Sequence, residues 1–119
     1  RAPFTIEGGR IGLTYENAAL EGALVAPGGV AIEQTDRYPI PPESGQVPPE
    51  WHLWAETQQK HAQARIIAVL GVEKAGRKIQ LTGVEDISTG NRAAVRFRHA
   101  GRPVTVVFDT ARPAVEVRR

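Results

Sequence analysis

The side chains with the most chemical promise in this sequence are two tryptophans, a histidine and three arginines. Trp51, His52 and Trp54 stand together in the stretch Trp51-His52-Leu53-Trp54-Ala55-Glu56-Thr57-Gln58-Gln59. An exposed indole face stacks on a sugar ring, whose axial C–H groups carry slight positive charge opposite the negative π face. In a strand, Trp51 and Trp54 project to opposite faces. Trp54 shares its face with His52, Glu56 and Gln58, so it is the candidate platform. The competing expectation is core, because tryptophan is highly buried on average. Arg92, Arg96 and Arg98 fall on one face of a second strand; Ala93, Val95, Phe97 and His99 take the other. Arginine forks pair well with carboxylates and sulfates. The competing expectation is a solvated face balanced by Glu73, Glu85, Asp86 and Glu116, in a chain of net charge only +2. The ligand-binding candidates are therefore Trp54, His52, Arg92, Arg96 and Arg98.

No catalytic constellation emerges. His52, His61 and His99 lack the spacing of metal ligands, and there is no cysteine, so no metal site and no cofactor are expected. Ser44 lies in a proline-rich loop and Ser88 in a turn, and neither occupies a G-x-S-x-G elbow. Glu85 and Asp86 are adjacent, which in a strand aims them apart and is wrong for acid–base work on one bond. The aromatics do not interleave with the basic strand, which is unlike an RNA-binding sheet. Gly8-Gly9 and Gly28-Gly29 read as turns, not as a phosphate-binding loop.

The elements that must position these groups read as strands. Trp51–Gln59 alternates, with Trp51, Leu53, Ala55 and Thr57 on one face. Ala64–Val72 is a near-continuous apolar run rich in β-branched residues. It is expected to be the central strand, buried on both faces. Before this pair, Phe4–Ile6, Arg10–Tyr15, Ala18–Val25 and Val30–Glu33 read as shorter strands, with Ile11, Leu13 and Tyr15 sharing a face. Gly22 argues against a helix in the third of these. Thr35–Glu50 is a proline-rich loop, read as a crossover between sheets, with Tyr38 and Ile40 pinning it to the core. After the pair, turns at Lys74–Arg77, Ser88–Asn91 and His99–Arg102 each carry a glycine and signal hairpins. Arg112-Pro113 marks a last turn before Ala114–Arg118. Regular, closely spaced turns favour a sandwich or barrel over βαβ units.

The chain has 119 residues, 41% hydrophobic and 24% charged. That is one ordinary globular domain with room for a core, residues 1–119 as a unit. The pI near 9.4 permits acidic partners without demanding them. No apolar run reaches transmembrane length, and the first residues are not a signal peptide. A chain opening on Arg1 reads as a processed product or as a piece of something longer.

Taken in order, several segments carry a family likeness. Leu24-Val25-Ala26-Pro27 leads to the Tyr38-Pro39-Ile40-Pro41-Pro42 loop. Pro49-Glu50-Trp51-His52-Leu53 comes next, and then Arg65-Ile66-Ile67-Ala68-Val69-Leu70. Over residues 20–72 this resembles the C-terminal β-sandwich domain of heparinase II/III-like polysaccharide lyases. The resemblance implies an accessory domain of an enzyme that breaks uronic-acid polysaccharides by β-elimination. The catalytic Tyr and His belong to other domains of such a polypeptide, and no residue here matches their motifs. It implies the catalytic domains of the same polypeptide as partner, acidic polysaccharide as the external ligand class, and a periplasmic or secreted bacterial setting. Nucleic acid and membrane are not among the expected partners. The alternative is a free-standing carbohydrate-binding or protein-interaction module.

The fold expected is all-β, a two-sheet antiparallel β-sandwich. Its core should contain Ile66, Ile67, Val69, Leu70, Val95, Phe97, Val106 and Phe108.

Overall fold

A computed structural model describes residues 3–37, 50–60, 62–109 and 114–119. The expected roles of Tyr38, Ile40, Ser44 and His61, and of the Arg112-Pro113 turn, lie outside these residues. The chain is all-β, with no helix among the described residues. Among the described residues ten strands form: β1 (Thr5–Glu7), β2 (Arg10–Tyr15), β3 (Ala18–Val25), β4 (Val30–Thr35), β5 (His52–Thr57), β6 (Ile67–Lys74), β7 (Leu81–Asp86), β8 (Arg92–His99), β9 (Arg102–Asp109) and β10 (Ala114–Arg118). They make three antiparallel sheets: an N-terminal sheet ordered β1-β2-β3-β6, a C-terminal sheet ordered β10-β9-β8-β7, and a separate β4-β5 pair.

β8, β9 and β10 form a meander with unbroken register. Alternating small and branched residues on one face and charges on the other fit a half-covered sheet. The β8–β9 turn uses Ala100 and Gly101 at positive φ, 51° and 76°, which a two-residue reversal between right-twisted strands requires. β7 joins β8 with a register shift between Thr82 and Glu85.

The small core lies where one corner of each large sheet meets the other. Ile67 from β6 and Ala93 and Val95 from β8 are buried, with Val25, Val69, Val84, Phe97, Val106 and Phe108 packed around them. Among the described residues, nine hydrophobics are buried and four of them are alanines: Ala23, Ala26, Ala93 and Ala94. The described core is thus rich in small side chains.

Two expectations are corrected. First, the apolar run is not a central strand buried on both faces. β6 sits at the edge of its sheet and alternates. Ile67 and Val69 turn inward, while Leu70 and Val72 are 52% and 69% exposed, and Ile66 just before the strand is also exposed. Continuous apolar sequence reports that both faces dislike water; it does not report that both are covered. Second, Lys74–Arg77 does not close a hairpin. The turn is real, with the Arg77 N–H donating to the Lys74 carbonyl at 3.0 Å, but β6 and β7 lie in different sheets. Among the described residues, β4 and β5 pair with each other and stand as a third, two-stranded sheet beside the two large ones.

The register also shows an unusual division of polarity in the N-terminal sheet. The face turned to the core presents Arg10, Gly12, Glu21, Ala23 and Val25. The opposite face presents Ile6, Ile11, Leu13, Tyr15, Leu20, Leu24, Leu70 and Val72. It is the more apolar of the two, and Tyr15, Leu70 and Val72 on it are exposed.

Candidate functional site

β5 holds the aromatic candidate. Its inward residues Leu53, Ala55 and Thr57 are half-buried, which leaves Trp54 and Glu56 facing solvent. Trp54 is 43% exposed and stands directly across from Glu33 of β4. His52 shares that face, opposite Thr35, and is half-buried. Trp51 precedes the strand and is half-buried. Trp54 is thus the more exposed of the two indoles.

β8 holds the basic candidates. Arg92, Arg96 and Arg98 do share its outer face, and all three are exposed. Arg96 and Arg98 have local partners that limit their freedom. Arg96 Nη2 donates to Glu85 Oε2 at 2.8 Å. Arg98 Nη1 donates to the Gly101 carbonyl at 3.0 Å. Arg92 stands across from Asp109 of β9. Further along the same face, Arg118 Nε donates to Glu116 Oε1 at 2.9 Å. That hydrogen bond, together with the guanidinium charge, holds the Glu116 carboxyl below its ordinary value and raises the Arg118 guanidinium. The outer face of the C-terminal sheet is thus a lattice of alternating charge. At Arg96 a sulfate or carboxylate would have to displace the Glu85 carboxylate.

Trp54 and His52 lie on the β4–β5 pair, while the arginines lie on the C-terminal sheet. The structure brings the three arginines together and keeps them on a different sheet from the indole. Among the described residues, no group of three or more His, Asp or Glu side chains could hold a metal ion. The Ser88 hydroxyl accepts from the Ala94 N–H at 3.0 Å, a contact that closes its turn and does not activate it as a nucleophile.

Two surface features escaped the sequence patterns weighed above. One is the exposed apolar face at Tyr15, Leu70 and Val72. The other is a groove of about 790 Å³ with an apolar floor of Phe97, Val104, Val106 and Val117 and a rim of His99, Arg102 and Arg119. The alternation in Ile11-Gly12-Leu13-Thr14-Tyr15 and in Val115-Glu116-Val117-Arg118 was the available signal for each.

No family model, curated protein or solved structure matches this chain.

Proposed function

We propose that this chain is a non-catalytic accessory domain: a two-sheet antiparallel sandwich of the two large sheets, with β4–β5 appended. It docks through the outer face of its N-terminal sheet against the catalytic portion of a heparinase II/III-like polysaccharide lyase. The observation that carries this is the apolar face itself. Tyr15, Leu70 and Val72, at 49%, 52% and 69% exposure, stand on the face of the N-terminal sheet opposite the Ile67–Val95 cluster, beside the buried Ile11 and the half-buried Leu13, Leu20 and Leu24. Exposed large apolar side chains gathered on one sheet face mark interaction sites. The small alanine-rich core points the same way, since the domain gains stability from what it packs against. The identity of that neighbour rests on the sequence resemblance over residues 20–72, and the chemistry of β-elimination belongs to the neighbour.

The purified chain should release no unsaturated uronate from heparin, heparan sulfate or alginate. A Leu70→Glu, Val72→Glu double variant should leave the isolated chain's stability within about 1 kcal/mol, the sum of two exposed positions. The same pair in the full-length lyase should lower its melting temperature. Turnover by the isolated chain that survives repurification and vanishes with one substitution here would overturn the reading. So would a full-length protein indifferent to the double variant.

A second reading is a carbohydrate-binding module. It is favoured by one observation, the 43% exposure of Trp54 on an otherwise polar strand face.

A further inference from the structure

The outer strands of the two large sheets are protected in different ways. β1 is only three residues long. β7 carries its register shift between Thr82 and Glu85, and such irregularities twist an edge away from partners. On β6, Ile79 Cγ2 lies 2.7 Å from where a Cβ on Gly71 would stand, so that side chain covers the core-side face of the strand. Among the described residues, β10 has none of these devices. All five of its residues are in unbroken register with β9, and all five are exposed. An extended strand with one free edge is a template for another strand.

The two faces of β10 have distinct chemistry. Val115 and Val117 continue the apolar face that Val106 and Phe108 begin, yet they are 64% and 52% exposed. Glu116 and Arg118 occupy the opposite face, joined to each other at 2.9 Å. The edge therefore presents one negative and one positive group in sequence, with a hydrophobic row behind them.

We propose that the free edge of β10 is an interface between two copies of this chain, paired antiparallel about a two-fold axis at Val117. An axis perpendicular to the sheet preserves which face is up, so the strands pair with a residue opposite itself. Centring on Glu116 sets two carboxylates directly opposite, which is destabilising. Centring on Val117 sets Glu116 opposite Arg118 of the second copy, and Arg118 opposite its Glu116. The two internal ion pairs then close into a square of alternating charge. On the other face, Val117 meets Val117, and Val115 meets the aliphatic stem of Arg119, whose charged end stays in water. The four strands of each C-terminal sheet become one sheet of eight, and the apolar strip at Val106, Val115 and Val117 becomes continuous across the axis. Strands of five residues bury less than a standard interface, so the dimer is weak and depends on concentration. This surface is distinct from the outer face of the N-terminal sheet, and the two stand or fall separately.

Sedimentation equilibrium of the 119-residue chain, loaded from about 10 μM to about 1 mM, reads the association. Glu116→Arg and Arg118→Glu should each weaken it about tenfold, since each turns two opposite-charge pairs into two like-charge pairs. The exchanged double variant, E116R with R118E, should return to within about twofold of the parent. Circular dichroism on each variant separates loss of pairing from loss of fold, and Val117→Lys supplies an independent disruption on the apolar face. A chain that stays monomeric throughout overturns the proposal. A dimer indifferent to both single reversals, or one abolished by Leu70→Glu instead, also overturns it.

Discussion

Gly22 of β3 lies directly opposite Leu70 of β6, and the Leu70 side chain occupies the space a Cβ on Gly22 would need. The nearest atom of Leu70, Cδ2, is 2.7 Å from that position, and the Val69 carbonyl oxygen is closer still. A glycine in mid-strand normally weakens the strand. Here it lets the edge strand approach and lets Leu70 lie across the sheet. Gly22→Ala should therefore destabilise the chain by about 1–3 kcal/mol through overpacking against backbone. Urea denaturation measures this, and an unchanged midpoint would show that β6 can shift without cost.

Leu70 and Val95 should respond very differently to truncation. Val95 is 2% exposed and stands in the core, so Val95→Ala should cost about 2 kcal/mol from lost burial and an unfilled cavity. Leu70 is 52% exposed, so Leu70→Ala in the isolated chain should fall within about 1 kcal/mol of the parent. Equal losses at the two positions would contradict the placement of β6 at an edge.

Those two residues also mark how far the fold is legible from sequence. Period-two alternation sets the faces of β5 and β8, including the outward Trp54 and the co-facial Arg92, Arg96 and Arg98. Glycine-bearing turns locate the β8–β9 reversal. Strand periodicity says which residues share a face, but whether a face is covered depends on elements elsewhere. Leu70 and Val72 resemble core for that reason. The Lys74–Arg77 turn has hairpin residues, yet β7 beyond it enters another sheet, and no local pattern encodes that choice. Asp109 across from Arg92, and Gly101 accepting from Arg98, come from pairing between strands, which the sequence of one strand does not contain.

Glu116 supplies a prediction in pH. Its carboxyl is held below the ordinary value by the hydrogen bond from Arg118 and by that residue's charge. A group depressed in the folded state contributes stability above its unfolded value and loses it as pH falls through the folded one. The contribution should therefore fade only at the acid end of the carboxylate range. Carbon-detected NMR titration of the Glu116 carboxyl should show a midpoint below the ordinary value for a glutamate, and Arg118→Gln should return it to that value. An unmoved midpoint in that variant would assign the shift to another cause.

Glycan binding, where it occurs, should separate by salt. Contact through Arg96 and its neighbours should collapse at high ionic strength, because the Debye length shrinks to about 3 Å at 1 M. Stacking on Trp54 should persist, since it rests on apolar contact. Calorimetry with an acidic and a neutral oligosaccharide, on Arg96→Ala and Trp54→Ala chains, assigns the contact. Arg96→Ala should cost folding stability no more than about 1 kcal/mol, because its pairing with Glu85 is exposed. Affinity unaffected by either substitution would leave both surfaces without a glycan role.

The crossing from β6 to β7 has a consequence for the order in which the chain folds. β7 to β10 succeed one another as neighbours, so their sheet closes through short loops. β3 finds β6 only across separations running from 42 residues (Val25 to Ile67) to 56 (Ala18 to Lys74). Long-range pairing is slow because loop entropy is lost before contacts form. The C-terminal sheet should acquire amide protection first in pulse-labelled refolding, and β6 should zip onto β3 last. A ribosome would present the two halves in the opposite order, leaving β2 and β3 waiting for a strand not yet made.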